Sequence, residues 1–411
     1  MIALFALSAL LLVHTFGLYG LSLHLLVRLC PSKPPPPIPD DDAPLPRVTM
    51  VVAAHDEAAC IEAKVRNFQA LDYPTDRLDL IVGSDGSKDG TDAIVERLAA
   101  TDERIRLSAA PRSGKSAVLN RCVPMARGEW LLLTDANTML APDALKRLAR
   151  HMVSTPQLGA VSGRLVLMRP GSATPEAEAA VETEGEGLYW RYETRLKILE
   201  GKLGILLGAN GGLYAVRRAF FTPLAPDTIV DDLVIPLRLA IEGHALRYAP
   251  DALAFEETAG PLSNESRRRV RIAAGNFQSL TWLWPLLSPR RGLWAYAFWS
   301  HKLLRWCAPL FLILAFLSNA ALASQSHAWL TLLMLQCLFY GLALVGALLP
   351  ERSEGARLPG PVRQLFALMR AAHYFVRMNV SLAQGFARFV LGRQKAAWER
   401  SARATAPKGI D

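Results

Sequence analysis

The sequence predicts an α/β domain, doubly wound around a parallel sheet and set between apolar segments that belong in a membrane. Three observations carry that expectation. Short β-branched runs alternate with helical stretches from Arg47 to Ala136. Long apolar stretches lie only towards the two ends of the chain. One strand-like run, GEWLLLTDANT at residues 128–138, delivers Asp135 and Asn137 at its C-terminal end, where open α/β sheets bind ligands.

Residues 2–29 are apolar apart from small polar residues, His14, His24 and Arg28, and exceed the roughly 20 residues that cross a bilayer. We read 1–30 as a transmembrane helix; its length and the lack of a basic segment before it argue against a cleaved signal peptide. Arg28 and Lys33 follow the span, so the positive-inside rule puts the next segment in the cytoplasm. Residues 31–46, with PPPP and DDD, form a stiff linker.

The α/β domain is expected over 47–275. Strands are read at RVTMVVAAH, LDLIVGSDGS, IRLSAA and EWLLLTDA, with helices at 57–71, 91–100 and 115–126 between them. Further strands are read at 158–170 and 204–217, with YWRYETRLKILE as a helix between them, and helices at 232–243 and 266–280. SLTWLWPLL, within 276–292, suits a helix lying at the membrane interface. Two apolar stretches in 293–350, separated by SQS, read as a helical hairpin through the bilayer. Residues 363–393 mix apolar side chains with Arg370, His373, Arg377, Asn379, Gln384 and Arg388. An interfacial amphipathic helix is favoured there over a fourth span, with the basic tail RQKAAWERSAR on the cytoplasmic side. The expectation is a multi-pass protein of the inner cell membrane with its catalytic domain in the cytoplasm.

Composition narrows the partners. The chain has 411 residues, 51% of them hydrophobic, and a net charge of +9, but its Arg and Lys flank apolar runs and no aromatic-interleaved nucleic-acid motif occurs. Membrane lipids and a nucleotide diphosphate are the expected partners, and nucleic acid is not. The five cysteines are scattered without paired spacing, which supports neither a disulfide framework nor a zinc site.

Four motifs fall at strand ends. AAHDE (53–57) can present His55 to a base, or can simply cap a helix through Asp56. GSDGSKDGT (83–91) suits a sharply turning loop that grips a nucleoside, although an ordinary glycine turn uses the same residue types. RSGKSAVLN (112–120) ends like a P-loop, but that pattern needs glycine five residues before Gly114, and Ala109 stands there. Lys115 at a helix start still suits a diphosphate. In TDANT, Asp135 can hold a hard cation, Mg²⁺ or Mn²⁺, against phosphate oxygens.

In this order and spacing the four motifs resemble family 2 glycosyltransferases with a GT-A fold. With the flanking apolar helices the chain resembles their membrane-bound branch, which includes poly-N-acetylglucosamine, cellulose and hyaluronan synthases. The resemblance implies that His55, Glu57 and Asp85 line the uridine pocket, that Lys115 and Asn120 hold the nucleotide, and that Asp135 and Asn137 form the metal site, with an amide in place of the second carboxylate. Asp231-Asp232 in TIVDDLVIPLR resembles the acidic catalytic pair, with Asp232 as general base; a favourable helix N-terminus is the plainer reading of the same residues. GANGGLYAVRR resembles the acceptor-side segment, which implicates Asn210 and Gly211. Trp190, with Tyr189 and Tyr192, can stack on acceptor sugars or serve as core. SRRRVRIAAG falls where processive relatives carry Q-x-x-R-W. Arg271 matches the arginine and can neutralise the diphosphate, Arg268 replaces the glutamine on the donor side, and Ile272 replaces the tryptophan.

The function expected is an inverting glycosyltransferase that uses a cytoplasmic UDP-sugar to build a β-linked cell-surface polysaccharide, alone or as an oligomer. Transfer of one sugar to a lipid acceptor is the alternative within the class. A non-catalytic membrane subunit that binds nucleotide or polysaccharide is the alternative outside it. Asn137 and Ile272 would suit that last reading, whereas Asp85, Asp135, Asp232 and Arg271 argue against it.

Overall fold

A computed structural model describes residues 1–30, 36–37, 44–168, 185–257, 262–349 and 360–394. Most of the proline-rich linker and nearly all of the basic tail lie outside these residues. The chain opens with helix α1 (Ile2–Leu29), which is interrupted by one π turn at His14–Leu18. There follow β1 (Val48–Ala54), α2 (Ile61–Gln69), β2 (Leu78–Asp85), α3 (Thr91–Ala99), β3 (Ile105–Ala110), α4 (Lys115–Cys122) and β4 (Trp130–Asp135). The four strands lie in the order β3-β2-β1-β4 and are parallel, as their alternation with helices requires. β2 is buried at every residue, which explains its unbroken apolar run.

The second half departs from the parallel arrangement expected. Its elements are β5 (Thr138–Leu140), α5 (Ala144–Ser154), β6 (Leu158–Met168), α6 (Gly185–Leu203), β7 (Tyr214–Arg217), α7 (Asp231–Ile241), β8 (Ala245–Glu257) and α8 (Leu262–Leu283). β7 pairs antiparallel with both β4 and β6, β6 is parallel to β8, and β5 closes the edge antiparallel to β8. The sheet is therefore mixed. No crossover helix carries the chain from α6 back to the N-terminal ends of the strands, so β7 enters beside Leu133 and runs down.

The strand expected over 204–217 shrinks to four residues, because Gly204 and Gly208 take φ of +72° and +106° and break the extended run. α5 and β8 were not anticipated. α5 carries a clear apolar stripe, Leu145, Leu148, Ala149 and Met152, all buried.

Two apolar layers sandwich the sheet. Val48, Met50 and Val52 of β1 face one layer with Val65, Phe68, Leu145 and Leu148. Val51 faces the other, with Leu119, Leu196, Tyr214, Leu233 and Phe277. This second layer also takes Tyr19 and Leu23 of α1, so that apolar helix is built onto the core.

α8 runs through the boundary placed at residue 275, and Leu283 and Leu286 beyond it are buried, so SLTWLWPLL is not a separate surface helix. The remaining helices are α9 (Leu293–Trp306), α10 (Ala308–Leu322), α11 (His327–Leu348) and α12 (Gly360–Val390). Among the described residues, α1 and α11 are each long and apolar enough to cross a membrane. α9 and α10 form a pair bent by 63°, which makes up to three spans if it counts as one. The hairpin expected over 293–350 thus has one broken arm.

α12 lies against both α8 and α11 through two glycines. A Cβ on Gly346 would stand 2.2 Å from the Met369 carbonyl oxygen, and one on Gly385 would stand 2.4 Å from Ala273 Cβ. Leu at either position should lower stability by about 2 kcal/mol through overpacking, read as the thermal midpoint of the full chain in detergent. A second prediction concerns His151 in α5, whose pKa burial, and then the neighbouring Arg150, push down to about 4. The folded state keeps this ring neutral while the unfolded chain protonates near pH 6.5. The stability it contributes is therefore present above 6.5 and lost as pH falls towards 4. His151→Gln should flatten that acid loss by up to ~3 kcal/mol in denaturation curves across this window.

Candidate active site

The site gathers at the C-terminal ends of β1, β2 and β4. Asp135 ends β4 and is about a third exposed, with a side-chain accessibility of 35%. Lys115 opens α4, and its Nζ lies 2.9 Å from Asp135 Oδ1 and 3.2 Å from Asp231 Oδ2. Asp231 and Asp232 open α7, where the helix dipole favours negative charge. The Tyr214 hydroxyl donates to Asp231 Oδ2 at 3.2 Å.

Gly211 keeps a gap between the carboxylates. A Cβ there would meet Asp232 Oδ2 at 3.2 Å and Asp135 Oδ2 at 3.6 Å. The charges are sorted by their neighbours. Desolvation works to raise Asp135, but Lys115 outweighs it and holds the carboxyl below its usual range. Asp232 goes the other way, lifted by burial and by Asp231 beside it. A carboxylate with raised proton affinity is the better base. Burial pulls Lys115 down, yet Asp135, Asp231 and Asp232 together keep its ammonium above the usual range.

On the other flank, the AAHDE and GSDGSKDGT loops are laced together. Asp56 adopts a left-handed φ of +54°, accepts from the Lys88 N–H at 2.7 Å and donates its own N–H to Ser87 Oγ. The Glu57 N–H donates to Thr91 Oγ1, and Cys60 Sγ donates to the Glu57 carboxylate at 3.0 Å. His55 is 5% exposed, bonded through Nδ1 to the Asp85 carbonyl and through Nε2 to Arg112. Asp85 is fully buried and accepts the Ser113 N–H at 2.6 Å and the Gly114 N–H at 3.0 Å. Its carboxylate is thus turned into the protein, where it shapes the loop that launches Lys115. Asn120 also serves the scaffold: both atoms of its amide bond the Leu224 backbone at 2.8 Å.

Of the residues expected to meet the acceptor, Asn210 is buried, with Nδ2 donating to the Gly163 carbonyl at 2.6 Å and its backbone N–H to Ser162 Oγ. The Trp190 indole N–H donates to the Leu165 carbonyl, and the ring packs on the core. Ile272 packs against the opposite core layer. Arg268 is partly exposed, 4.0 Å from Glu256 Oε1, and Asn137 Nδ2 donates to that same oxygen at 3.0 Å. Arg271 is half-buried, within the field of Asp231, Asp232 and Asp135. The structure thus brings Lys115, Asp135, Asp231, Asp232, Gly211 and Arg271 together. It sets Asn120 and Trp190 apart as supports.

The donor set suits a hard divalent cation: carboxylate oxygens of Asp135 and Asp232 converge on the gap at Gly211, while the Asn137 amide donates to Glu256. Among the described residues no cluster of three or more His, Cys, Asp or Glu forms a cage, so most of a cation's ligands would be phosphate oxygens.

Several residues escaped the sequence reading. Lys64 is fully buried, its pKa pushed down to about 7 by burial, and it donates to Thr134 Oγ1 at 2.9 Å and the Thr138 carbonyl at 2.5 Å. Thr134 Oγ1 in turn donates to the Gly212 carbonyl, so Lys64 braces both the TDANT turn and the glycine loop. A signal for it existed: Lys64 shares a stripe with Ile61, Val65 and Phe68, the apolar spacing of a helix. Glu256 had none, since β8 was not anticipated. Tyr214 reads in sequence only as a strand residue.

With this geometry in place, the comparisons are informative. A profile described as "Glycosyltransferase like family 2" matches residues 46–275. A beta-monoglucosyldiacylglycerol synthase of Synechocystis sp. is 28% identical over 287 residues, which cover 66% of this chain and 57% of that protein. A poly-beta-1,6-N-acetyl-D-glucosamine synthase of Staphylococcus aureus is 23% identical over 236 residues, 57% of this chain and 55% of that one. The chain therefore spans little more than half the length of these relatives. In fold it is similar to the mannosyltransferase PcManGT of Pyrobaculum calidifontis, solved with GDP-Man and Mn²⁺, with a TM-score of 0.66, 24% identity and coverage of 95% and 100% of the two chains. The shared α/β architecture is the GT-A fold, and with more than half of its residues matched by the profile, the chain belongs to the glycosyltransferase-like family 2.

Proposed function

We propose that the chain is an inverting glycosyltransferase that takes a sugar from a cytoplasmic nucleotide-sugar, a UDP-sugar, and adds it to a growing β-linked polysaccharide at the inner face of the membrane. The observation that carries this reading is the charge cluster around the gap at Gly211, where the Asp232 carboxylate, raised in proton affinity by burial and by Asp231 beside it, shares the crevice with the Lys115 ammonium. In this reading Asp232 accepts the proton of the acceptor hydroxyl as its oxygen attacks the anomeric carbon. The bond to the diphosphate breaks on the opposite face, and Lys115, Arg271 and Arg268 stabilise the departing charge. A bound Mg²⁺ or Mn²⁺, held by Asp135 and the Asn137 carbonyl, would add positive charge at the diphosphate. Asp85 and His55 hold the loops that frame the nucleotide. The spans α1 and α11, with Arg28 and Lys33 after the first, support the membrane location and the cytoplasmic side.

One observation favours a second reading, transfer of one sugar to a lipid. Position 272 carries a half-buried isoleucine packed against the core, and so offers no aromatic platform for a growing chain. One of the similar relatives is by name a monoglucosyldiacylglycerol synthase.

Membranes containing the full chain, given Mn²⁺ and radiolabelled UDP-glucose, UDP-N-acetylglucosamine or GDP-mannose, should transfer label to a polymer, and Asp232→Asn should lose at least about 100-fold in rate. Label confined to the lipid phase selects the second reading. No transfer from any donor, with Asp232→Asn indistinguishable from wild type, would sink the enzymatic reading. The metal ligand can be probed too. Asn137→Asp alone brings two carboxylates face to face at Glu256 and should gain little. Asn137→Asp with Glu256→Gln should lower the Mn²⁺ concentration for half-maximal rate, and an unchanged requirement would count against Asn137 as a ligand.

A further inference from the structure

We propose that Lys197 is a positioning residue for the transfer reaction, tying the membrane helices to the catalytic carboxylate of Asp232. The proposal rests on the reading of Asp232 as general base. Lys197 does not touch the reacting atoms, and it acts through the glycine loop.

Glu193, Lys197 and Glu200 of α6 stand at i, i+4 and i+7, one stripe of charge on an otherwise half-buried helix. A charged stripe turned inward is costly unless every member is matched. The two carboxylates are matched by membrane-flanking helices. Glu193 pairs with Arg305 at 2.7 Å and with His301 Nε2 at 3.1 Å, both on α9. Glu200, fully buried, takes His301 Nδ1 at 2.5 Å and the Tyr19 hydroxyl of α1 at 2.8 Å. His301 therefore bridges both carboxylates, and α1, α6 and α9 are fixed in mutual register.

Between these two anchors, Lys197 reaches the glycine loop. Its ammonium donates to Asn210 Oδ1 at 2.5 Å and to the Ala209 carbonyl at 3.5 Å. Glu200 Oε2 adds a contact to the Leu207 N–H at 3.4 Å, so α6 grips residues 207–210 at both ends. The loop then grips the catalytic element: the Ala209 N–H donates to the Asp232 carbonyl at 2.9 Å, and Gly211 lies against the Asp232 carboxylate. Gly208, with φ of +106°, lets the chain make this approach. A methionine at 197 has the reach but no protons, and it would leave the buried Asn210 oxygen without its donor.

The test uses the full chain in nanodiscs, the donor that supports transfer in membranes, and UDP and GDP as binding probes. Lys197→Met should lower kcat about 100-fold, the scale of a small misplacement of reacting groups, while donor KM, nucleotide affinity and thermal midpoint stay near wild type. Lys197→Arg should recover part of the rate. His301→Gln, remote from the gap, should lower kcat in the same sense, and its combination with Lys197→Met should be no slower than Lys197→Met alone. Wild-type kcat in Lys197→Met, or losses that multiply in the double variant, overturn the proposal. If Lys197→Met does not accumulate, Lys197→Arg and His301→Gln carry the test, and wild-type kcat in both overturns it. An active Asp232→Asn overturns the underlying reading instead, whereas an active Lys197→Met beside an inactive Asp232→Asn overturns this proposal alone.

Discussion

Three carboxylates, Asp135, Asp231 and Asp232, converge at the strand ends around one ammonium group, that of Lys115. Like charges so close in a partly dehydrated crevice repel one another strongly, and the fold holds them only because Lys115 sits between them. Much of the surrounding structure serves that arrangement. Asp85 spends its buried carboxylate on the Ser113 and Gly114 amides, which sets the turn from which Lys115 emerges. Tyr214 and the start of α7 stabilise Asp231. Lys64 clamps the TDANT turn from beneath. The cluster is asymmetric as a result: Asp135 is held below the usual carboxylate range while Asp232 gains proton affinity, so one residue type takes two opposite charge preferences.

The mixed sheet makes this convergence possible. A fully parallel sheet would deliver only strand C-termini to the crevice. Because β7 runs antiparallel beside β4, its leading loop, with Asn210 and Gly211, arrives at the same end as Asp135. β8 reaches that end as well, and brings Glu256 to Asn137 and Arg268. One flank of the crevice is thus built from parallel strand ends, and the other from an antiparallel entry.

The long apolar helices and the α/β domain are one body. Tyr19 and Leu23 of α1 share an apolar layer with Leu133 of β4 and Leu233 of α7, and the His301–Glu193–Glu200 network adds a polar lock to that layer. Small residues let α12 lie against α8, the helix that carries Arg268 and Arg271. The crevice and the bilayer-sized helices cannot shift independently without breaking buried contacts.

The sequence by itself determined the local items. Hydrophobic periodicity located β1 to β4 and their helices to within a few residues, since continuous apolar runs and 3.6-residue stripes are short-range signals. Apolar length located α1 and α11, and motif order singled out Lys115, Asp135, Asp231 and Asp232, which the fold brings together. Tertiary structure decided what depends on partners distant in the chain. The direction of β7 follows from how the chain re-enters the sheet, whereas the bend between α9 and α10 falls where Pro309 opens α10. Asp85, Asn120 and Trp190 look like ligand-facing residues in sequence, yet their polar atoms are taken by backbone from elsewhere in the fold. Lys197 and Glu200 read as ordinary helix-surface charges, because nothing within seven residues shows that the other half of each pair lies on another helix or loop. Residue type and spacing specify which groups are available; only the folded chain specifies which of them remain open to a ligand.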